Sequence, residues 1–262
     1  LGQNFLVDRR YLSHILHAAR IDPQDTIIEV GPGLGVLTEK LADVAGMVIG
    51  VEVDPLLARH LETSLGRREN VRVLQGDVLE LDPAELIAGS SGCPYKVVAN
   101  LPYSVAAAVL RHFLEASMKP TLVVVLVQKE VAQRMTASPG QMSLLSVAVQ
   151  LYGKPKIVLK IPPTAFHPRP KVESALIRIE VLPQPALIVE DIEAFFSLVR
   201  AGFAHRRKQL HNSLSQELSV PGPTIKEALS RAGIEPSRRA QTLSIEEWGS
   251  LYRSMEDWSN RS

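Results

Sequence analysis

Asn100-Leu101-Pro102-Tyr103 directly follows an apolar run, residues 95–99, with the composition of a buried strand. That placement suits the handling of an aromatic amine. The exocyclic nitrogen of adenine is a weak nucleophile because its lone pair is delocalised into the ring. An Asn side-chain oxygen and the carbonyl of Leu101 can both accept hydrogen bonds from such an amine, stabilising the positive charge that grows as it attacks. Pro102 sets a bend, has no N–H to compete, and biases Leu101 towards extended backbone. Tyr103 offers a ring face to a planar base, a stacking contact worth about 1–3 kcal/mol. By itself the tetrapeptide is as compatible with an ordinary strand end and turn, so its meaning depends on its surroundings.

Those surroundings gather further polar groups at strand ends. Glu29-Val30-Gly31-Pro32-Gly33-Leu34-Gly35 puts glycines where a strand turns into a helix and backbone must approach a ligand closely. The pattern is G-x-G-x-G. A dinucleotide loop would want a third small residue at position 36, where Val36 stands, and Pro32 stiffens the turn, so NAD is disfavoured. Glu52 ends the next apolar run, as an acid holding a ribose diol should. Asp54 competes for that role but is explained as a helix N-cap. Asp77, in Gln75-Gly76-Asp77-Val78, can accept from the amine of an adenine ring, or simply form a turn. With Glu29, Glu52, Asp77 and Asn100 at successive strand ends, one edge of a sheet becomes a ligand site.

The elements that position these groups alternate. Residues 26–30, 47–53, 71–74, 95–99 and 121–127 read as strands separated by helical patterns, which predicts a parallel α/β sheet. Ahead of them, Tyr11, Leu12, Ile15, Leu16 and Ala19 recur at helical spacing after Asp8. His14 and His17 on that helix lack a third ligand, so no metal site is expected. A helix from Ser143 to Tyr152 precedes two β-rich runs, residues 156–161 and 172–181, which flank a Pro-rich stretch and predict an antiparallel edge. Pro183 and Pro185 mark a boundary. Beyond them Ile192, Phe195, Phe196, Val199 and Phe203 begin a helical region, so domains of residues 1–182 and 183–262 are expected.

A chain of 262 residues, 45% hydrophobic and 22% charged, can bury a sizeable core, and no apolar run approaches the ~20 residues of a membrane span. One cysteine, Cys93, excludes an intrachain disulfide and a cysteine-based zinc site, and no secretory signal is visible, so a cytoplasmic location is expected. Net charge is only +1, but residues 154–178 hold Lys154, Lys156, Lys160, Arg169, Lys171 and Arg178 against Glu173 alone. Residues 200–211 hold Arg200, Arg206, Arg207 and Lys208 with no acid. Each patch is either a solvated face or a surface for nucleic acid.

Assembled, these residues resemble the ribosomal RNA adenine dimethyltransferase family of the KsgA type over nearly the whole chain. The resemblance is carried by Leu1-Gly2-Gln3-Asn4-Phe5-Leu6, the Glu29–Thr38 loop, Glu52 to Asp54, Gly76-Asp77 and Asn100 to Tyr103. Phe166-His167-Pro168-Arg169-Pro170-Lys171-Val172 and Arg206-Arg207-Lys208 extend it. It implies a Rossmann-like fold using S-adenosylmethionine and no metal, with a helical RNA-binding domain after it. Asn4, Leu6, Glu29, Gly31 and Gly33 are then placed near the donor, with Glu52 on its ribose, Asp77 on its adenine and Asn100 at the reacting end. It further implies Tyr103 and Phe166 sandwiching the target base, although Phe166 also reads as a hydrophobic plug of its Pro-rich loop. The basic residues of both patches would meet phosphates. The implied product is two adjacent dimethyladenosines in the 3′-terminal hairpin of small-subunit rRNA, made by a monomer on an assembling subunit. Alternatives are an erythromycin-resistance-type enzyme acting on large-subunit rRNA, a mainly non-catalytic assembly factor, and a dehydrogenase.

Overall fold

The computed structural model describes residues 4–88, 94–102 and 105–259. Expectations for Cys93 and Tyr103 therefore lie outside the described residues, as do residues 1–3. In chain order the elements are β1 (Phe5–Leu6), α1 (Arg10–Ala19), β2 (Thr26–Val30), α2 (Val36–Ala42), β3 (Met47–Glu52) and α3 (Pro55–Leu65). Next come β4 (Val71–Gln75), α4 (Pro83–Leu86), β5 (Tyr95–Asn100), α5 (Ala106–Glu115), β6 (Leu122–Gln128), α6 (Lys129–Met135) and α7 (Leu144–Tyr152). The remaining elements are β7 (Gly153–Ile161), β8 (Phe166–His167), β9 (Ser174–Val181), α8 (Ile192–Phe203), α9 (Leu210–Leu218), α10 (Gly222–Arg231) and α11 (Ile245–Ser259).

The chain divides into two compact units, residues 1–133 with 152–183, and residues 134–151 with 184–262. Residues 134–151 thus group with the C-terminal region, a departure from the expected domains of 1–182 and 183–262. Hydrogen bonds account for it: Gly140 and Met142 donate backbone N–H to the Gln241 carbonyl at 2.8 and 3.1 Å.

In the first unit a seven-stranded sheet runs β4-β3-β2-β5-β6-β9-β7. The first five strands are mutually parallel, and β9 pairs antiparallel with both β6 and β7. Central β2 is buried at every residue, which its Thr-Ile-Ile-Glu-Val composition suits except at Glu29. Edge strand β4 is nowhere fully buried. An apolar cluster including Leu12, Ile15, Ile27, Val98, Val124, Leu126 and Leu176 packs α1 and α2 against the sheet. The chain winds outward from β2 through β3 to β4, then returns to β5 on the other side of β2. That reversal opens a crevice at the carboxyl ends of β2 and β5.

The second unit is helical. Its core is built from Phe195, Phe196, Val199, Leu210, Leu214, Ile225, Leu229 and the fully buried Trp248, beside which Gly202 leaves no room for a Cβ. Among the described residues no helix is long and apolar enough to cross a membrane, and no group of three or more His, Cys, Asp or Glu gathers to hold a metal.

Candidate active site

The Gly-rich turn sits at this crevice. Gly31, Gly33 and Gly35 take φ of +64°, +61° and +79°, a left-handed conformation that side chains other than glycine disfavour. Nothing lies within 4 Å of where a Gly31 Cβ would stand, whereas one on Gly33 would meet the Phe5 ring at 2.8 Å. One glycine faces open space and the other is roofed by an aromatic ring. Between them and β5 lies a cleft of about 430 Å³, lined by Phe5, Leu6, Leu12, Glu29, Gly31, Pro32, Leu34, Val36, Leu37 and Asn100.

Two buried carboxyls serve this loop differently. Glu52, fully buried at the end of β3, accepts the Gly33 N–H at 2.9 Å on one oxygen and the Asp54 N–H at 3.1 Å on the other. It therefore braces the turn. Asp54 is the N-cap of α3, accepting from the N–H of Leu56 and Leu57. Glu29 is 1% exposed, and its Oε2 has no hydrogen-bond partner among the described residues. Burial pushes its carboxyl up to about 8; the nearby Thr38 hydroxyl, itself short of hydrogen-bonding geometry, opposes the rise and the Glu52 carboxylate adds to it.

Asn100 closes the opposite wall. Its Nδ2 donates to the Asn4 carbonyl at 2.9 Å, and β5 aligns Ala99 with Val30 at the foot of the glycine turn. Leu101 is buried, donates its N–H to the Leu126 carbonyl at 3.2 Å, and leads into Pro102, whose carbonyl accepts from Val105. The N-terminal segment is held in turn by β1 pairing with β8 and by the N–H groups of Val7 and Asp8 donating to the Ala165 carbonyl. Asn4, expected near the donor, enters as a backbone acceptor, while Phe5, Leu12, Leu34 and Val36 line the cleft without having been given a role in it, although Phe5 and the Glu29–Thr38 loop belong to the segments that carry the resemblance.

The cleft thus brings together Leu6, Glu29, Gly31 and Asn100, with Gly33 and Glu52 bracing the loop behind it. Asp77 stands farther along the same edge, exposed, its Oδ1 accepting the Leu79 N–H at 3.0 Å. Gly76 is tied to the end of β3 by its N–H on the Glu52 carbonyl. Phe166 is 4% exposed, opposite Leu6 in the β1–β8 pair and inside the apolar cluster, packed as a plug of the Pro-rich loop in the ligand-free chain.

The basic hairpin is also not one surface. Lys154, Lys156 and Lys160 are all exposed, but Lys154 and Lys156 face Glu180 and Arg178 across β9, while Lys160 faces Ala175 after a register shift between Ile157 and Leu159. One extra residue in a strand turns the side chains beyond it to the opposite side of the sheet. Lys160, with exposed Arg169 and Lys171, belongs to the end of the sheet that carries Asn100; Lys154 starts β7 at the other end. In the second unit Arg206, Arg207 and Lys208 are exposed between α8 and α9, with the Lys208 ammonium on Gln216 Oε1.

Comparison with known proteins converges on one family. The profile of the ribosomal RNA adenine dimethylase family matches residues 1–257. A relative from Dehalococcoides mccartyi named ribosomal RNA small subunit methyltransferase A is 50% identical over 252 residues, covering 96% of this chain and 86% of the relative. One of the same name from Moorella thermoacetica is 44% identical over 263 residues, covering 97% and 91%. Among solved structures, the 23S rRNA methyltransferase ErmE is 29% identical with a TM-score of 0.74, covering 97% of this chain and all 100% of that one. A dimethyladenosine transferase from Plasmodium falciparum, at 22% identity and a TM-score of 0.82 over 97% and 98% of the two chains, shares the fold. With the matched profile running through the glycine turn, the Asn100 wall and the helical unit alike, the chain belongs to the ribosomal RNA adenine dimethylase family.

Proposed function

We propose that this protein transfers methyl groups from S-adenosylmethionine to the exocyclic amine of two adjacent adenosines in the 3′-terminal hairpin of small-subunit rRNA. The observation that carries the chemistry is the Asn100 amide at the cleft wall: with Nδ2 donating to the Asn4 carbonyl, Oδ1 is the acceptor that the amide retains. An acceptor there selects a donor-bearing group such as an amine over a carbonyl. Small-subunit rRNA as substrate is supported by relatives of that name at 44–50% identity.

The residues fit the proposed donor. An open glycine at Gly31, an acid at Glu52 behind the turn and an orphaned carboxyl oxygen on Glu29 suit a ligand with a ribose and positive charge. Bound, S-adenosylmethionine supplies an electrophilic methyl on a positively charged sulfur. Leu6 and Gly31 would border it, Glu52 and Asp77 would accept from its ribose and adenine, and Asn4 would anchor the wall. Asn100 Oδ1 and the Leu101 carbonyl hold the amine so that its lone pair points at the methyl, and Tyr103 stacks on the base. Positioning supplies most of the acceleration. No strong base is required, because the nitrogen becomes acidic once alkylated and gives its proton to solvent.

Lys160, Arg169, Lys171, Arg206, Arg207 and Lys208 would contact phosphates, fixing register without reading sequence. The same reading makes the protein a monomer that acts in the cytoplasm on an assembling small subunit. The test supplies isotopically labelled donor to unmethylated small and large ribosomal subunits separately and maps the modified nucleotides by reverse-transcription stops. Label at paired adenosines near the small-subunit rRNA 3′ end is expected. Label confined to the large subunit would overturn the target.

A further inference from the structure

The β1–β8 ribbon has two faces, and the core accounts for only one. Phe5 lies opposite His167 and Leu6 opposite Phe166. Residues directly opposite in paired strands share a face, and successive residues alternate between faces. Leu6 and Phe166 are buried in the apolar cluster, so Phe5 and His167 occupy the other face. There the Phe5 ring stands against Gly33 over the glycine turn, and His167 continues the same face outwards, exposed. Among the described residues the imidazole has no hydrogen-bond, ion-pair or ring partner. Cations stand beyond both ends of the ribbon. Arg9 follows β1 and Arg169 follows β8, and because the strands are antiparallel they leave in opposite directions. Both are exposed, and the two acids of these segments are occupied elsewhere, Asp8 by Arg10 at 2.7 Å and Glu173 by Lys129 at 2.5 Å.

Resting on an adenosine of small-subunit rRNA as the substrate, we propose that the outer face of this ribbon is a docking surface for unpaired RNA. His167 stacks on the nucleobase next to the target adenosine, and Arg9 and Arg169 hold the flanking phosphates. An adenosine reaches the cleft only by leaving its stack, which strips a partner from the neighbouring base. A planar ring between cations is the arrangement that holds such a strand, the ring taking the base and the guanidinium groups the phosphates. Every base has a face to stack, so His167 contributes affinity and orientation and leaves the choice of adenine to the Asn100 wall.

The test measures binding of the full chain and its variants to unmethylated small ribosomal subunits across a salt series. His167→Ala should weaken binding at least about fivefold, the lower bound for losing one base–aromatic stack. Its melting temperature, its affinity for S-adenosylmethionine and its slope of log affinity against log salt should stay at parent values. His167→Phe, which keeps a ring face, should restore binding; His167→Lys, which supplies a charge without a ring, should not. Arg9→Ala should weaken binding and flatten the salt slope by about 0.7–0.9. Unchanged binding by His167→Ala, recovery by His167→Lys or none by His167→Phe overturns the stacking contact, and an unchanged slope for Arg9→Ala overturns its phosphate contact. A parent chain that leaves small subunits unmethylated overturns the target assignment and the proposal with it.

Discussion

The amide of Asn100 is divided by its own chemistry, the NH₂ fastening the N-terminal segment through the Asn4 carbonyl and the oxygen left for the substrate amine. Asn100→Ala should therefore lower kcat by about 10²–10³-fold, the scale of losing one preorganised transition-state contact, while donor affinity changes little. Single-turnover methylation and donor titration separate the two, and near-normal turnover would remove Asn100 from the chemistry. Glu29 makes a second prediction through stability. Its folded pKa of about 8 lies above the ordinary 4.5, so the protonated folded state is favoured. The contribution is present below pH 4.5 and is lost as pH rises towards 8. Across that interval the ligand-free protein should lose melting temperature relative to Glu29→Gln. Parallel profiles by calorimetry would mean that Glu29 titrates as an ordinary carboxyl.

At the scale of elements, β1 lies against the glycine turn, and the two glycines should separate stability from binding. Alanine at Gly31 or Gly33 meets a φ above +60° and costs about 1–2 kcal/mol in either case. Gly33→Ala must also displace the Phe5 ring, so it should melt lower and expose the N-terminal segment to limited proteolysis, with partial recovery in a Gly33→Ala/Phe5→Ala double variant. Gly31→Ala puts its methyl into open cleft and should mainly weaken donor binding. Equal melting of the two variants with no recovery would show that Phe5 does not roof the turn. The same elements show what sequence pattern can and cannot reveal. β2 to β6 were legible because each is a run of β-branched residues ended by a turn signal, and their order placed Glu29, Glu52 and Asn100 on one edge. Strands of two residues such as β1 and β8 have no period to read, and the Asn4 contact to Asn100 spans 96 positions. Phe166 carries the same side chain whether it caps a core or stacks on a base; only packing decides. The bulge in β7 is likewise silent, because Lys154, Lys156 and Lys160 keep their alternation while the register beneath them slips.

At the scale of the whole chain, the cleft is confined to the first unit, while Arg206, Arg207 and Lys208 belong to the second. Donor binding and RNA binding should therefore be separable. The loop that bears these cations is fixed at its far end, where Leu210 donates its N–H to the Arg238 carbonyl at 2.7 Å and the Arg238 guanidinium is paired with Glu247. Arg238 is thus committed to structure, with Glu247 held below the usual carboxylate range chiefly by that hydrogen bond, whereas Arg206 and Arg207 are exposed. Replacing Arg206, Arg207 and Lys208 together by alanine should leave donor affinity and melting temperature near their parent values. Affinity for the unmethylated small subunit should fall. A phosphate no longer neutralised by a side chain keeps its counterions, so the slope of log affinity against log salt should flatten by about 0.7–0.9 per phosphate, approaching 2–3 if all three cations reach one. Binding measured from low to moderate salt supplies that slope. A weaker complex with an unchanged slope would mean that the loop acts through shape and packing, and an unchanged complex would return these cations to solvent.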